Sequence, residues 1–118
     1  MRALIILVPL LLASTVAAQE WALRSGDREL SRAEIVELTT DSTLTFYDDG
    51  QSQYATDGAY SYTYASGESA FGRYEVEADG TVCVYYPNGF SRCDRYVDAG
   101  ARIVLLDERG QRFPLKAW

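Results

Sequence analysis

The fold is decided by the stretch at residues 81–97, TVCVYYPNGFSRCDRYV, in which two runs rich in β-branched and aromatic residues flank Pro87-Asn88-Gly89. Two such runs separated by turn residues predict a β-hairpin. In a three-residue loop, the proline takes the second position of a type I turn and the glycine takes the left-handed bulge position. This loop places Cys83 directly opposite Cys93, at a Cα separation of roughly 4.5 Å that a disulfide can bridge.

The alternative hairpin register has a two-residue Asn-Gly loop, which would place Cys83 opposite Asp94 and leave Pro87 outside the turn. The turn residues and the cysteine spacing therefore favour the same three-residue loop. The sequence has 2 cysteines and no histidine. In an exported protein we expect Cys83 and Cys93 to form a structural disulfide rather than a redox switch. Two thiolates alone fall short of a zinc ligand set, so we expect no metal and no cofactor.

Residues 1–18 have the organisation of a signal peptide. Arg2 provides a positively charged start, residues 3–13 are apolar apart from a proline, and Val16 and Ala18 suit the −3 and −1 positions of a signal-peptidase site. The apolar run has about half the ~20 residues that a membrane-spanning helix needs. We therefore expect a periplasmic or secreted protein, with no stable membrane insertion after signal cleavage.

Residues 19–118 are predicted to form a single β-rich domain, large enough to bury one modest core. Removal of residues 1–18 takes away Arg2 and no acidic side chain, which leaves 10 basic and 17 acidic residues and a net charge of −7. This charge argues against a nucleic-acid partner, because phosphate binding needs a basic face. We expect the partner to be a protein or a small ligand.

The residue pattern of this domain predicts one short helix and many strands. A brief first strand is predicted at residues 21–23. Ser31 and Glu34 fit a capping box, which predicts a helix over residues 32–39. After the helix the apolar residues alternate, and turn signals recur about every 8–12 residues, as in all-β domains. The expected fold is mainly β (α+β): a short N-terminal helix packed on an antiparallel meander or a partial barrel of roughly six to eight strands.

Three tyrosines are the candidate ligand-binding residues. Tyr60, Tyr62 and Tyr64 share one face of a predicted strand because side chains alternate along a strand. If this face is exposed, the rings could stack on a sugar or fill a groove of a partner. The alternative is that the same face is buried in the sheet, where aromatic residues are common.

The sequence contains no recognisable catalytic motif. Ser69 lacks both the following glycine of a nucleophile elbow and a histidine base. The spacing of the acidic residues selects no pair for glycoside hydrolysis. Arg92 and Arg95, on either side of Asp94, could form a small basic site for an anion, but we favour a surface group that pairs with nearby acids. We therefore assign no catalytic residue.

The order of several motifs resembles that in a family of small exported bacterial proteins, which is classed as a domain-of-unknown-function family. The resemblance covers about residues 28–115 and is carried by Leu30–Ile35, Gly72–Val76, Asp79–Cys83 and Arg92-Cys93. It implies a helix packed on an antiparallel sheet or partial barrel with one disulfide. It assigns no function and no catalytic residue.

A second resemblance is to the periplasmic lysozyme inhibitors, small disulfide-bonded β-barrels with loops that contain Ser-Gly. It rests on Ser66-Gly67 and on Tyr74. Three hypotheses for function result. The first is a non-catalytic exported domain that binds a protein or small ligand, and the second is an inhibitor of a cell-wall hydrolase such as lysozyme that uses the loop at residues 65–71. The third is a small carboxylate-dependent hydrolase.

Overall fold

The computed structural model of the protein describes residues 3–4 and 21–118. Except for residues 3–4, the predicted signal peptide lies outside the described residues. No helix in the described part of the chain is long and apolar enough to cross a membrane.

The described residues form one helix and nine strands, and the fold is mainly β as predicted. In chain order these are β1 (Arg28–Glu29), α1 (Arg32–Thr39), β2 (Ser42–Phe46), β3 (Gln51–Tyr54), β4 (Ala59–Thr63), β5 (Ser69–Val76), β6 (Val82–Tyr85), β7 (Ser91–Asp98), β8 (Ile103–Leu106) and β9 (Arg112–Ala117).

Strands β2 to β9 form a closed antiparallel barrel in which each strand pairs with its neighbours in the sequence. The barrel closes where β9 pairs with β2, with Thr45 opposite Ala117 and Phe46 opposite Leu115. A register shift between Thr45 and Phe46 marks a β-bulge at this seam, and bulges increase the local bend of a strand. Closure removes the free edges that an open sheet would expose.

The helix covers one end of the barrel. Its capping box is confirmed, because the Ser31 hydroxyl accepts from the Glu34 amide and the Glu34 carboxylate accepts from the Ser31 amide. Leu30 and Ile35 are buried in the same apolar cluster as the inward side chains of the strands. Because α1 directly precedes β2, it lies at the end of the barrel where β2 begins. The other end, where β2 stops at Phe46, has no helix over it among the described residues.

A second, smaller apolar cluster lies outside the barrel. Val97, Val104 and Leu106 are buried there, and Trp21 packs against them. The prediction of a strand at residues 21–23 is therefore wrong: this segment is irregular, and the first strand is β1, which pairs with β7. The apolar side chain of Trp21 packs on the outer surface of the barrel. A short irregular segment can make this contact without joining the sheet.

The structure also corrects the expected architecture. The helix is short, but it is not N-terminal, because β1 precedes it. Strand β1 pairs with Val97 and Asp98 at the end of β7, beyond the residues of β7 that pair with β6. The antiparallel meander is confirmed, but it closes into a complete barrel of eight strands, with one extra strand, instead of stopping as a partial barrel. Closure depends on the β2–β9 pairing, and a local alternation pattern carries no information on partners so distant in the chain.

The predicted hairpin register is confirmed. Cys83 lies opposite Cys93, and the two form a disulfide with Cα atoms 4.0 Å apart. The turn follows the predicted geometry: the Gly89 amide donates to the Tyr86 carbonyl, and the Tyr86 amide donates to the Phe90 carbonyl. Gly89 has a φ of 85°, a left-handed conformation that glycine adopts without a steric cost.

Replacement of both Cys83 and Cys93 by serine is expected to lower the melting temperature Tm, because the disulfide restricts the unfolded chain. For a loop of this length the chain-entropy effect is roughly 3 kcal/mol, or roughly 10–25 °C in Tm for a domain of this size. Calorimetry of the oxidised wild type and the variant measures the difference. Dithiothreitol should lower the wild-type Tm by a similar amount and leave the variant unchanged. Equal Tm values for both proteins would refute the structural role of the disulfide.

Candidate functional site

The open end of the barrel contains a pocket of about 260 Å³. We call it the mouth pocket. Its lining includes four aromatic and four charged side chains, together with Ser52 and Leu105. These eight are Phe46, Tyr62, Tyr64, Phe113, Asp48, Arg92, Asp94 and Asp107. Nine of the ten lie at or near the strand ends opposite α1, because successive strands of an up-and-down barrel run in opposite directions, and Asp94 lies deeper, in the middle of β7.

The aromatic side chains form a connected wall. The Tyr62 ring centroid is 6.4 Å from that of Phe46 and 4.9 Å from that of Tyr64, the latter in an edge-on arrangement. Such offset and edge-on pairs are favourable aromatic geometries. Gly50 makes room for this wall, since a Cβ atom there would lie 2.0 Å from the Tyr62 hydroxyl oxygen. A glycine in the β2–β3 turn thus allows the ring of Tyr62 to reach the pocket.

The three predicted ligand-binding tyrosines do share one face of β4, and that face points into the barrel. Tyr60 is buried with 2 % exposure and belongs to the core, Tyr62 is half-buried in the pocket wall, and Tyr64 is 53 % exposed at the rim. The face therefore runs from the core to solvent along the strand. Tyr62 and Tyr64 line the mouth pocket, whereas Tyr60 lies beneath it; their role in ligand binding remains a prediction.

A polar network forms the floor of the pocket, with Arg92 at its centre. The guanidinium donates from Nε to Asp94 Oδ2 at 3.1 Å, from Nη1 to the Tyr86 hydroxyl at 2.5 Å and from Nη2 to the Tyr60 hydroxyl at 2.7 Å. The Tyr60 hydroxyl is also 2.9 Å from Ser52 Oγ. A polar group in a protein interior is costly unless it is hydrogen-bonded. This network holds Arg92 in one position.

Below this network the barrel is closed by two further tyrosines. The Tyr54 and Tyr96 hydroxyls are 2.7 Å apart. Burial raises the pKa of both hydroxyls well above the usual value, so both stay protonated at neutral pH. One of the two hydroxyls donates to the other, and both rings belong to the buried core beneath the pocket.

Asp94 is the charged group that the fold buries most deeply in the pocket. Its exposure is 1 %, and burial raises its pKa to about 6 although the Arg92 guanidinium favours the charged form. Its Oδ1 atom has no hydrogen-bond donor among the described residues. Since every fully buried side-chain polar atom described has a partner, Oδ1 is not fully enclosed, and Asp94 is one of the residues that line the pocket.

Two other carboxylates stand at the rim. Asp48 accepts from the Gly50 amide at 2.9 Å, and Asp107 accepts from the amides of Arg109 and Gln111 at 2.9 and 2.8 Å. Each carboxylate thus fixes its own turn, as aspartates at turns commonly do. With Asp94 they give the pocket three carboxylates against one guanidinium. Among the described residues no group of three or more potential ligand side chains is arranged to hold a metal ion.

The expected pairing of Arg92 and Arg95 with nearby acids is confirmed, since Arg92 pairs with Asp94 at 3.1 Å and Arg95 with Glu29 at 3.5 Å, but the placement of both arginines in one surface group is wrong. Arg92 faces into the barrel with Asp94, while Arg95 lies on the opposite face of β7, is buried, and donates to the carbonyls of Leu30 and Asp79. The hairpin register contained a signal for this arrangement. With Cys93 pointing outward, Arg92 and Asp94 must share the other face, which Tyr96 shows to be the interior.

Comparisons of the chain with protein-family models, with curated proteins and with solved structures give no significant match. The resemblances to a family of exported bacterial proteins and to lysozyme inhibitors therefore stay predictions.

The pKa of Asp94 predicts how stability depends on pH. A pKa of about 6 in the folded state, against about 3.9 when unfolded, means that the folded protein binds this proton more tightly. The free energy of unfolding should therefore rise as pH falls through 6, by about 1 kcal/mol between pH 7.5 and 5. The chain has no histidine, the side chain whose ordinary pKa lies inside that window. Tm should therefore rise by several degrees as the pH is lowered from 7.5 to 5.

Asp94→Asn should remove most of this increase, because the amide does not titrate. Asp57→Asn is the matched control: Asp57 Oδ1 accepts from the Ala59 amide in an exposed turn, and an asparagine oxygen can keep that bond. The control should show the wild-type pH dependence. An unchanged pH dependence in Asp94→Asn would contradict the assignment. Measurements stay above pH 5 because Asp27 and Asp79, whose pKa values their hydrogen bonds lower, lose their stabilising effect only in more acidic solution.

Proposed function

We propose that this protein is a non-catalytic, exported binding domain that takes a small ligand into the mouth pocket. One observation carries the proposal: the barrel is covered at one end by α1 and ends at the other in a pocket with an aromatic wall and a polar floor. Small-molecule sites are typically concave and mostly apolar, with a few polar groups that fix orientation, and the mouths of β-barrels are a common place for them.

The polar floor supports a binding function rather than a purely structural one. A buried ion pair contributes little to stability, because desolvation offsets much of its electrostatic attraction, and apolar residues of similar volume often replace it without loss. The Arg92–Asp94 pair nevertheless occupies inward positions of β7, where the neighbouring Tyr96 is fully buried. Polar side chains held in fixed positions at the base of a pocket are what ligand recognition requires.

The pocket is held in shape by the frame around it. Ring closure through β2 and β9 fixes the strand ends, and the Cys83–Cys93 disulfide ties β6 to β7 next to Arg92 and Asp94. A preformed site avoids the entropy of ordering loops when a ligand binds. The disulfide also indicates an oxidising compartment. Together with the predicted signal peptide, it supports a periplasmic or secreted location.

Binding in the mouth pocket can be tested with N-phenyl-1-naphthylamine, a neutral dye whose fluorescence rises in apolar surroundings. We expect saturable binding that Tyr64→Ala and Phe113→Ala each weaken about fivefold, since each removes part of the aromatic wall. Tyr85→Ala and Phe71→Ala are matched controls, because these residues are of the same types, are exposed, and lie outside the mouth pocket. Fluorescence titration gives the dissociation constants.

The controls should bind the dye like the wild type. Dye binding that the wall substitutions leave unchanged, or that the outer-face substitutions weaken equally, would place the site elsewhere and contradict the proposal. Tm of each variant confirms that it is folded.

Inhibition of a cell-wall hydrolase is the second candidate function. The turn at residues 65–67 is exposed and fixed, because the Tyr64 amide donates to the Glu68 carbonyl and the Gly67 amide donates to the Tyr64 carbonyl. An exposed, rigid turn is what an inhibitory loop requires. On this hypothesis an equimolar amount of the protein lowers the lytic activity of lysozyme, and Ser66→Ala with Glu68→Ala restores it. Undiminished lysis would remove this candidate.

A carboxylate-dependent hydrolase has one observation in its favour, namely the pKa of about 6 that burial gives Asp94. General acids work best when their pKa lies near the working pH. Glycoside hydrolysis needs a second carboxylate poised across the substrate. Asp48 and Asp107, the other carboxylates of the pocket, are each engaged in holding a turn. Ligand binding is therefore the function that the geometry supports best.

A further inference from the structure

We propose that the ligand of the mouth pocket is an organic cation, with a primary ammonium or guanidinium group on an aromatic or aliphatic stem. This inference rests on the proposed binding function and specifies the ligand class. In it, the cationic group donates a hydrogen bond to Asp94 Oδ1, and the stem lies against the aromatic wall.

The charge of the pocket is the first argument. Arg92 and Asp94 form an ion pair of opposite charges, with Nε and Oδ2 3.1 Å apart. Asp48 and Asp107 remain at the rim, and each accepts hydrogen bonds from backbone amides, so no side-chain cation of the pocket neutralises them. The pocket thus has an excess of two negative charges. A recess with low-dielectric walls focuses such a field and concentrates ligands of opposite charge.

The second argument is the unpartnered oxygen of Asp94. The side chain is 1 % exposed, lines the pocket, and uses Oδ2 for Arg92, while Oδ1 has no donor among the described residues. A buried carboxylate is stable when its oxygens accept hydrogen bonds. An ammonium or guanidinium supplies that donor together with the complementary charge, which a neutral hydroxyl supplies only in part.

The aromatic wall suits the remainder of such a ligand. Tyr62, Tyr64 and Phe113 present ring surface to the pocket, and ring faces attract both cations and apolar stems. The same wall would also accept the body of a neutral or anionic ligand. The sign of the charge is therefore decided by the carboxylates and Arg92, and not by the wall.

Arg92 is poorly placed to attract an anion. Three of its five N–H groups already donate, to Asp94, Tyr86 and Tyr60. An anion that approached the guanidinium would also come close to the carboxylate of Asp94 and pass those of Asp48 and Asp107. Like charges at such positions disfavour binding.

Three compounds with the same stem test the sign of the charge: 2-phenylethylamine, 2-phenylethanol and 3-phenylpropionate. Each is titrated at pH 7.5 into the ¹⁵N-labelled protein, and dissociation constants are taken from NMR shifts. We expect the amine to bind at least about tenfold more tightly than the alcohol, and the propionate to bind most weakly. N-acetyl-lysine amide is a fourth compound, and its binding in place of 2-phenylethylamine would assign the site to a lysine side chain of a protein rather than to a free amine.

Asp94→Asn should abolish the preference for amine over alcohol and leave the affinity for the alcohol within about twofold. Should this variant fail to fold, Asp48→Asn with Asp107→Asn tests the charge of the rim: it should lower the preference for the amine, because asparagine keeps the turn hydrogen bonds and removes only the charge, and an unchanged preference would overturn the inference. Asp57→Asn, an exposed turn residue outside the pocket, is the control with wild-type preference.

The outcomes separate this inference from the function on which it rests. Equal binding of all three compounds, with shifts at the pocket, would overturn the cation inference and leave the binding function in place. Tighter binding of the propionate would overturn it in favour of an anion. Binding of none of the compounds, N-acetyl-lysine amide included, would overturn the inference, and together with the absence of dye binding it would overturn the proposed function as well.

Discussion

Closure of the sheet through the β2–β9 seam is the constraint on which the rest of the molecule depends. The seam has few paired residues and contains a β-bulge between Thr45 and Phe46. With it, one face of each barrel strand lines a closed interior, and every second side chain along a strand points into that interior. Without it, the inward-facing Arg92 and Asp94 would lie on an open sheet in water. The same closure places Phe46 opposite Leu115 of β9, and so it brings Phe113 of that strand into the wall of the mouth pocket.

Closure produces an interior with two different ends. Beneath α1 the side chains are apolar and tightly buried, as Ile35 and Leu44 show. Towards the mouth the interior becomes polar at Ser52, Tyr60 and Arg92. The apolar end contributes most of the stability, because burial of apolar surface dominates folding. The polar end contributes little to stability. Its polar side chains hydrogen-bond to one another and do not fill the space above them, so this end is free to be specialised for binding.

The features that the sequence predicted correctly are local ones. The Pro87-Asn88-Gly89 turn and the Ser31 capping box depend on residues within a few positions of each other, and both have the predicted geometry. The seam between β2 and β9 joins residues about 70 positions apart, and no local pattern encodes it. The position of Trp21 was mistaken for the same reason, because its apolar character does not say whether it packs within the sheet or upon it.

The candidate site was predicted in part. Alternation correctly grouped the three tyrosines of β4 on one face, but it did not say that this face is internal, since small and aromatic residues both occur on either side of a barrel wall. Arg92 and Arg95 are predicted to lie on the surface because charged residues are rarely buried unless paired. In the structure Arg92 pairs with Asp94 and Arg95 with Glu29, and the inward direction of Arg92 follows only from the face of β7 that it shares with Tyr96. Asp48, in a turn, and Phe113, on β9, line the same pocket from positions far apart in the chain.

The central claim is that the mouth pocket holds an organic cation against its aromatic wall with the cationic group at Asp94. Intermolecular nuclear Overhauser effects between 2-phenylethylamine and the protein test it most directly. The account predicts contacts from the phenyl protons to the ring protons of Tyr62, Tyr64 and Phe113, and from the methylene protons next to the ammonium to the β-protons of Asp94. Contacts to Phe71 and Tyr85 on the outer face, with none to the pocket, would contradict it.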